Sequence, residues 1–256
     1  MKFIILGCGS SMGVPRADGF FGNCNPKNKK NFRSRCSALL KTSSEIVLFD
    51  TSPDLRHQLI TNNINNIDKV FYSHMHADQT HGINDLRVFY LKNEKTIPVF
   101  ADKQTKKYLL NSFKYCFVNN NKEYPAILKL NKISNKLFIS DGKKKIQIKP
   151  IEVKHGNVTC ICYIFANKLA YISDVSSIDP KKYVHFKNLK YLIIDCLRLK
   201  YHPTHLNLEN SLKLIKIFKP KKAILTNLHS DLDYDYLKKI LPKNIIPAYD
   251  GLTLNL

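Results

Sequence analysis

Short apolar runs punctuated by polar turns alternate with amphipathic stretches along the whole chain. In the first half, the runs at 2–6, 36–41, 45–50 and 68–73 read as buried strands, because β-branched and aromatic residues fill them and turn residues bound them. The polar segment Thr42-Ser43-Ser44-Glu45 separates two of these runs and makes them a hairpin. Asp50-Thr51-Ser52-Pro53-Asp54 then opens a helix to about residue 62, with an oxygen-bearing cap ahead of Pro53 in its first turn. Residues 83–92 read as helical, 96–101 as extended and 103–114 as helical. The second half repeats the alternation without repeating the sequence: strands at 145–154, 159–166 and 168–173, then an apolar run at 190–196 that contains Asp195. A helix capped near Asn207, with Glu209 in its first turn, carries apolar residues at 208, 212, 215 and 218 and stops at Pro220. Residues 223–228 form one more buried strand, which delivers His229. Strands and helices in this order predict an α/β fold, a mixed sheet system covered by helices. No internal repeat or linker marks a boundary, so one domain over residues 1–256 is expected.

Chemistry concentrates behind the strand at 68–73. His74-Met75-His76-Ala77-Asp78-Gln79-Thr80-His81-Gly82 places three of the nine histidines and one carboxylate in nine residues. Imidazole and carboxylate are the donors that borderline divalent ions accept. Histidines two apart do not share a helix face, so the window belongs on a loop at the strand's end. His155, Asp174, Asp195 and His229 likewise stand at or just beyond the ends of strand-like runs, and all of them can converge at one edge of the sheets.

Composition changes this picture little. At 256 residues with 44% hydrophobic and 24% charged, the chain is long enough for a substantial core. No apolar run approaches the length needed to span a bilayer, and the stretch before Cys8 is too short for a signal peptide. Seven cysteines with no C-x-x-C pair fit reduced thiols and a cytoplasmic location; Cys160 and Cys162 share one strand face as small hydrophobes. The net charge of +21 points toward nucleic acid, yet only six of 41 basic residues are arginine and the lysines are spread throughout, so most of it reads as solvated surface.

The order H-x-H-x-D, distant His, distant Asp, distant His resembles the metallo-β-lactamase superfamily. Within it, the chain is similar to the branch of the cyclic-phosphate phosphodiesterase of the carbon-phosphorus lyase pathway. The residues that carry this are Gly7-Cys8-Gly9-Ser10-Ser11-Met12-Gly13-Val14-Pro15, Asn31-Phe32-Arg33-Ser34-Arg35-Cys36-Ser37, the window continued through Gly82-Ile83-Asn84-Asp85-Leu86-Arg87, His202-Pro203-Thr204-His205, and the segment from Thr226 to Tyr234. The resemblance implies a four-layer αββα sandwich and two divalent ions, zinc or manganese. It places His74, His76 and His155 on the first ion, Asp78 and His229 on the second, and Asp174 between them. A hydroxide generated by such a pair is the nucleophile. One departure stands out: the position after Asp78, histidine in the usual pattern, is Gln79. If Asp78 caps the next helix, His81 lies on the same side and is expected to serve instead; the alternative is a weakened or empty second site. The early loop offers Cys24 alone, so no structural zinc is expected.

A leaving oxygen needs a proton, and His205, oriented by Asp195, is the expected general acid, with His202 its competitor. Arg198, then Arg33 or Arg35, are the expected phosphate contacts. His57 and His185 lack partners of this kind and read as surface or packing residues. The expected function is therefore hydrolysis of a small cyclic or diester phosphate, with Asp78, His205 and Asp195 in the catalytic set. A tRNA 3′-processing endoribonuclease, a glyoxalase-type thioester hydrolase and a non-catalytic nucleic-acid-binding module are the alternatives. Partners reduce to a small phosphate ester, nucleic acid in the alternatives, and an open question of homodimer formation.

Overall fold

The computed structural model describes residues 1–119, 124–135 and 137–256. Its first sheet is built from β1 (Lys2–Gly7), β2 (Ser37–Lys41), β3 (Ile46–Phe49), β4 (Lys69–Phe71), β5 (Ile97–Ala101) and β6 (Leu128–Lys132). The second holds β7 (Leu137–Asp141), β8 (Lys144–His155), β9 (Val158–Phe165), β10 (Leu169–Ile172), β11 (Tyr191–Asp195), β12 (Lys222–Thr226) and β13 (Ile245–Pro247). The last strand, β14 (Leu252–Asn255), returns to the first sheet, where Lys2 pairs with Asn255 and Ile5 with Leu252. The strand orders are β14-β1-β2-β3-β4-β5-β6 and β13-β12-β11-β10-β9-β8-β7.

The helices are α1 (Leu55–Thr61), α2 (Ala77–Thr80), α3 (Arg87–Asn93), α4 (Lys103–Ser112), α5 (Lys114–Phe117), α6 (Leu208–Phe218) and α7 (Tyr234–Ile240). Three apolar clusters define four layers. Phe3, Phe49, Phe71, Tyr163, Phe165, Tyr171 and Ile193 fill the space between the sheets. Leu55, Leu59, Phe89 and Leu109 pack helices on the outer face of the first sheet, and Leu214, Ile215, Phe218 and Leu237 do so on the second. Each such fully buried side chain contributes roughly 1.5–3 kcal/mol. This is the metallo-β-lactamase αββα sandwich expected from the sequence.

The parallel strands place the site. β3, β4, β5 and β6 run parallel in one sheet, and β10 through β13 in the other, so their C-terminal ends gather along one edge. Loops from such an edge are where α/β sheets hold ligands. Several boundaries differ from the sequence reading. The first helix starts at Leu55, past Pro53, with no side-chain cap from Asp54. The helix expected at 83–92 opens as a 3-10 turn over Ile83–Leu86. In α6, Asn207 caps as expected by accepting from the Asn210 N–H at 3.0 Å, but Leu212 lies at the margin and Leu214 takes the core position. No helix among the described residues is long and apolar enough to cross a membrane.

Candidate metal centre and active site

His74 and His76 follow β4 on a loop fixed from below. Asp50, fully buried at the end of β3, accepts the Ser73 N–H at 2.7 Å, and the Ser73 hydroxyl meets His74 Nδ1 at 3.0 Å. Across the sheets, His155 ends β8 and donates from Nδ1 to the Thr204 carbonyl at 2.7 Å. Both imidazoles therefore present Nε2 inward. His74 Nε2 and His155 Nε2 lie 3.0 and 3.2 Å from His76 Nδ1. Burial holds the His74 pKa down at about 3 and lowers that of His76, so both rings are neutral with lone pairs available. Three converging imidazole nitrogens, with the outer nitrogens of His74 and His155 tied to protein oxygens, suit a zinc-like ion. The donor set fits the first ion.

Asp174 follows β10. Its Oδ1 accepts from Asn227 Nδ2 at 3.2 Å and its Oδ2 from Gln79 Nε2 at 3.3 Å. Burial would lift its pKa, but the surrounding imidazoles outweigh this and hold the carboxylate ionised. With His155 and His205 it forms a second group whose ligand atoms lie within 4.8 Å of one another. Asp78 lines the same cavity; burial, then the charge of Asp174, raise it to about 6. His229 follows β12, also lines the cavity, and its Nδ1 meets Asp231 Oδ1 at 3.2 Å.

His81 departs from its expected place. The helix cap is His76, not Asp78, and the four-residue helix α2 ends at Thr80, so residue 81 lies on no shared helical face. Its Nε2 instead meets the Tyr108 hydroxyl at 2.9 Å and its ring packs edge-on to Phe113. Arg33 departs too. It is 2% exposed, and its guanidinium donates inward to the Leu232 and His229 carbonyls and to Asn31 Oδ1, which clamps the loop carrying His229. Arg35 is held by Asp54. Arg198 does line the cavity, with Nη2 donating to the Tyr201 carbonyl at 2.7 Å.

At the end of β11, Asp195 Oδ2 lies 2.9 Å from His205 Nδ1. Burial alone would lower the His205 pKa, but the hydrogen bond and charge of Asp195, then Asp174 and Asp78, raise it to about 9. Burial lifts Asp195 to about 6, so at neutral pH a carboxylate faces an imidazolium. His202 sits 5.2 Å from His205 ring to ring, and its Nδ1 receives the Thr204 N–H, at 3.3 Å. Two residues gained roles that the sequence reading had not given them. Asn227 adopts a left-handed backbone at φ 61° and spreads its Nδ2 over Asp174 and Asp195. Ser10, 2% exposed, lines the cavity with a hydroxyl that has no partner among the described residues. An asparagine between a strand end and a candidate ligand was the available signal for the first. The cavity enclosed by these groups measures about 320 Å³.

Imidazoles and carboxylates gather at the common edge of an αββα sandwich, as a site able to hold a divalent ion requires. The chain belongs to the beta-lactamase superfamily domain family, whose model matches residues 45–227. Among solved structures it is similar to a diphosphatase from the PhnP family, at 29% identity and a TM-score of 0.87, over 100% of this chain and 97% of that one. Among curated proteins it is 28% identical to an octanoyltransferase of Porphyromonas gingivalis over 98% of this chain and 51% of that protein. A ribonuclease Z of Prochlorococcus marinus matches at 28% identity over 45% of this chain and 38% of its own length. The chain thus spans about half the length of the first of these curated relatives, and less of the second.

Proposed function

We propose that this protein is a metal-dependent phosphodiesterase acting on a small cyclic or diester phosphate. The observation that carries the reading is one cavity lined by His76, His155 and His205, with His74 Nε2 3.0 Å behind His76 and Asp195 2.9 Å behind His205. An ion held by His74, His76 and His155 would supply Lewis-acid stabilisation of developing charge and a metal-activated water. His205, protonated at neutral pH, has Nδ1 committed to Asp195, which leaves Nε2–H as the donor toward a leaving oxygen. Asp195 fixes the ring's orientation and offsets its charge. Arg198 and the partnerless Ser10 hydroxyl supply further donors for phosphate oxygens at the cavity wall. The volume of about 320 Å³ suits a small ester. Likeness to the PhnP-family diphosphatase supports phosphate-ester chemistry.

A second reading, a ribonuclease Z-type endonuclease, draws on the ribonuclease Z match and the net charge of +21. Cleavage of bis(p-nitrophenyl) phosphate, cyclic phosphates and a tRNA precursor by zinc- or manganese-loaded protein separates them. The phosphodiesterase reading expects turnover of the small esters and no strong binding of tRNA at physiological salt. Tight tRNA binding that falls steeply with salt, with cleavage near the 3′ end, would replace it by the nuclease. No turnover of any ester would remove both.

A further inference from the structure

The residue after the window's aspartate is an amide, Gln79, where the pattern that the sequence resembles has an imidazole. Gln79 is fully buried, and its Nε2 stands 3.3 Å from Asp78 Oδ2 and 3.3 Å from Asp174 Oδ2. An amide NH2 has two donors, so a single group can bind one oxygen of each carboxylate. Gln79 Oε1 has no partner among the described residues. Turning the amide over would aim that oxygen at two carboxylates and leave the NH2 without an acceptor, so electrostatics selects the orientation with the donors inward.

The remaining donors for a second ion do not assemble around this arrangement. Among the described residues, Asp78 and His229 join neither of the two groups whose ligand atoms converge within 4.8 Å. His229 is paired to Asp231, and His81, the imidazole expected to replace the missing ligand, is engaged with Tyr108. A second cation would have to displace the Gln79 contacts and draw in ligands that now face elsewhere. A neutral amide is moreover a poor donor to zinc beside imidazole and thiolate.

We propose that the centre holds a single divalent ion, on His74, His76 and His155, and that the Gln79 amide takes the place of a second ion by tying Asp78 to Asp174. This rests on the metal-dependent reading above and narrows it: Asp174 is tied to the Gln79 amide rather than bridging two ions. The same contacts make Gln79 a positioning residue, because they hold two acidic groups at a fixed separation beside the cavity.

The test is metal content per chain. Protein saturated with zinc, and separately with manganese, is passed through gel filtration and analysed for bound ion. Wild type is expected to retain one ion per chain and to titrate in a single calorimetric step. Gln79→His, which restores an imidazole of similar volume, is expected to retain two. Gln79→Glu, which replaces the donors with a carboxylate of the same shape, is expected to take up the second ion as well, and it decides the matter if the histidine variant fails to fold. Two ions on wild type, or one on both variants, would overturn the inference and leave the phosphodiesterase reading standing. No ion on any form would overturn both.

Discussion

An imidazole that keeps its proton beside neutral ones is the sharpest contrast at the level of single residues. His74 is stripped of its proton by burial, while His205, at the cavity wall, keeps its own because two carboxylates face it. Environment rather than residue type therefore separates ligand from acid. His205→Ala is expected to lower kcat on an ester with a poor leaving group by about 10²–10⁴-fold, and much less on a p-nitrophenyl ester, whose leaving group needs no proton. Equal losses on both would argue against the acid role. Bound metal, measured on the same samples, should not change. Asp50 offers a different test. Burial raises its pKa well above the ordinary carboxyl value, so the folded protein favours the protonated form. Its contribution to stability is complete below the ordinary carboxyl pKa and is lost as pH rises through the raised folded value. Asp50→Asn removes that loss while keeping an acceptor for the Ser73 N–H. Denaturant titrations across pH should show the variant gaining on wild type as pH rises; parallel curves would show that Asp50 is not neutral when folded. Asp50→Ala leaves a buried N–H unpaired and should cost about 1–3 kcal/mol at every pH.

Elements set these residues in place through close backbone approach. Gly82, just past α2, is such a contact: a Cβ built there would stand 2.0 Å from the Ser52 carbonyl oxygen and 2.9 Å from Leu55 Cβ. Since a backbone oxygen cannot swing aside, Gly82→Ala should shift α2 against α1 and destabilise the fold by about 1–3 kcal/mol or more, read as a lower Tm together with weaker binding of the ion by the shifted histidine loop. An unchanged Tm would mean that the two segments separate freely. At this scale the sequence was readable where burial on both faces leaves a continuous apolar run, as in β3, β10 and β12. It was not readable in β6 and β7, whose half-exposed alternation of apolar and polar residues lies in a lysine- and asparagine-rich stretch, nor in the short closing strands β13 and β14. The site followed the same logic. His74, Asp174, Asp195 and His229 were legible because each lies at or just beyond a strand end, and parallel strands end together. His81 was misplaced because a four-residue helix stops before it, and Arg33 because residue type alone says phosphate whereas burial directs its guanidinium to backbone carbonyls.

For the whole molecule, an ion on His74, His76 and His155 would join two sheets that also meet through the apolar layer between them and a few direct hydrogen bonds. His74 and His76 descend from the first sheet and His155 from the second, so a cation on all three spans both. Binding of this kind stabilises the folded chain by mass action, because unfolding separates ligands some eighty positions apart in sequence. At an ion concentration 100-fold above the dissociation constant the gain is about 2.7 kcal/mol, which for a chain of this length corresponds to roughly 5–11 °C in Tm. Chelation of loaded protein should remove that increment, and added zinc should restore it. Two substitutions make the test specific to the span rather than to loosely bound metal. His76→Ala removes a ligand from the first sheet and His155→Ala one from the second; each should abolish the zinc-dependent shift while leaving the chelated Tm near that of chelated wild type for His76, whose ring is exposed enough to lose little packing. A zinc-dependent shift that survives either substitution would place the stabilising ion elsewhere, and with it the chemistry assigned to this edge of the sandwich.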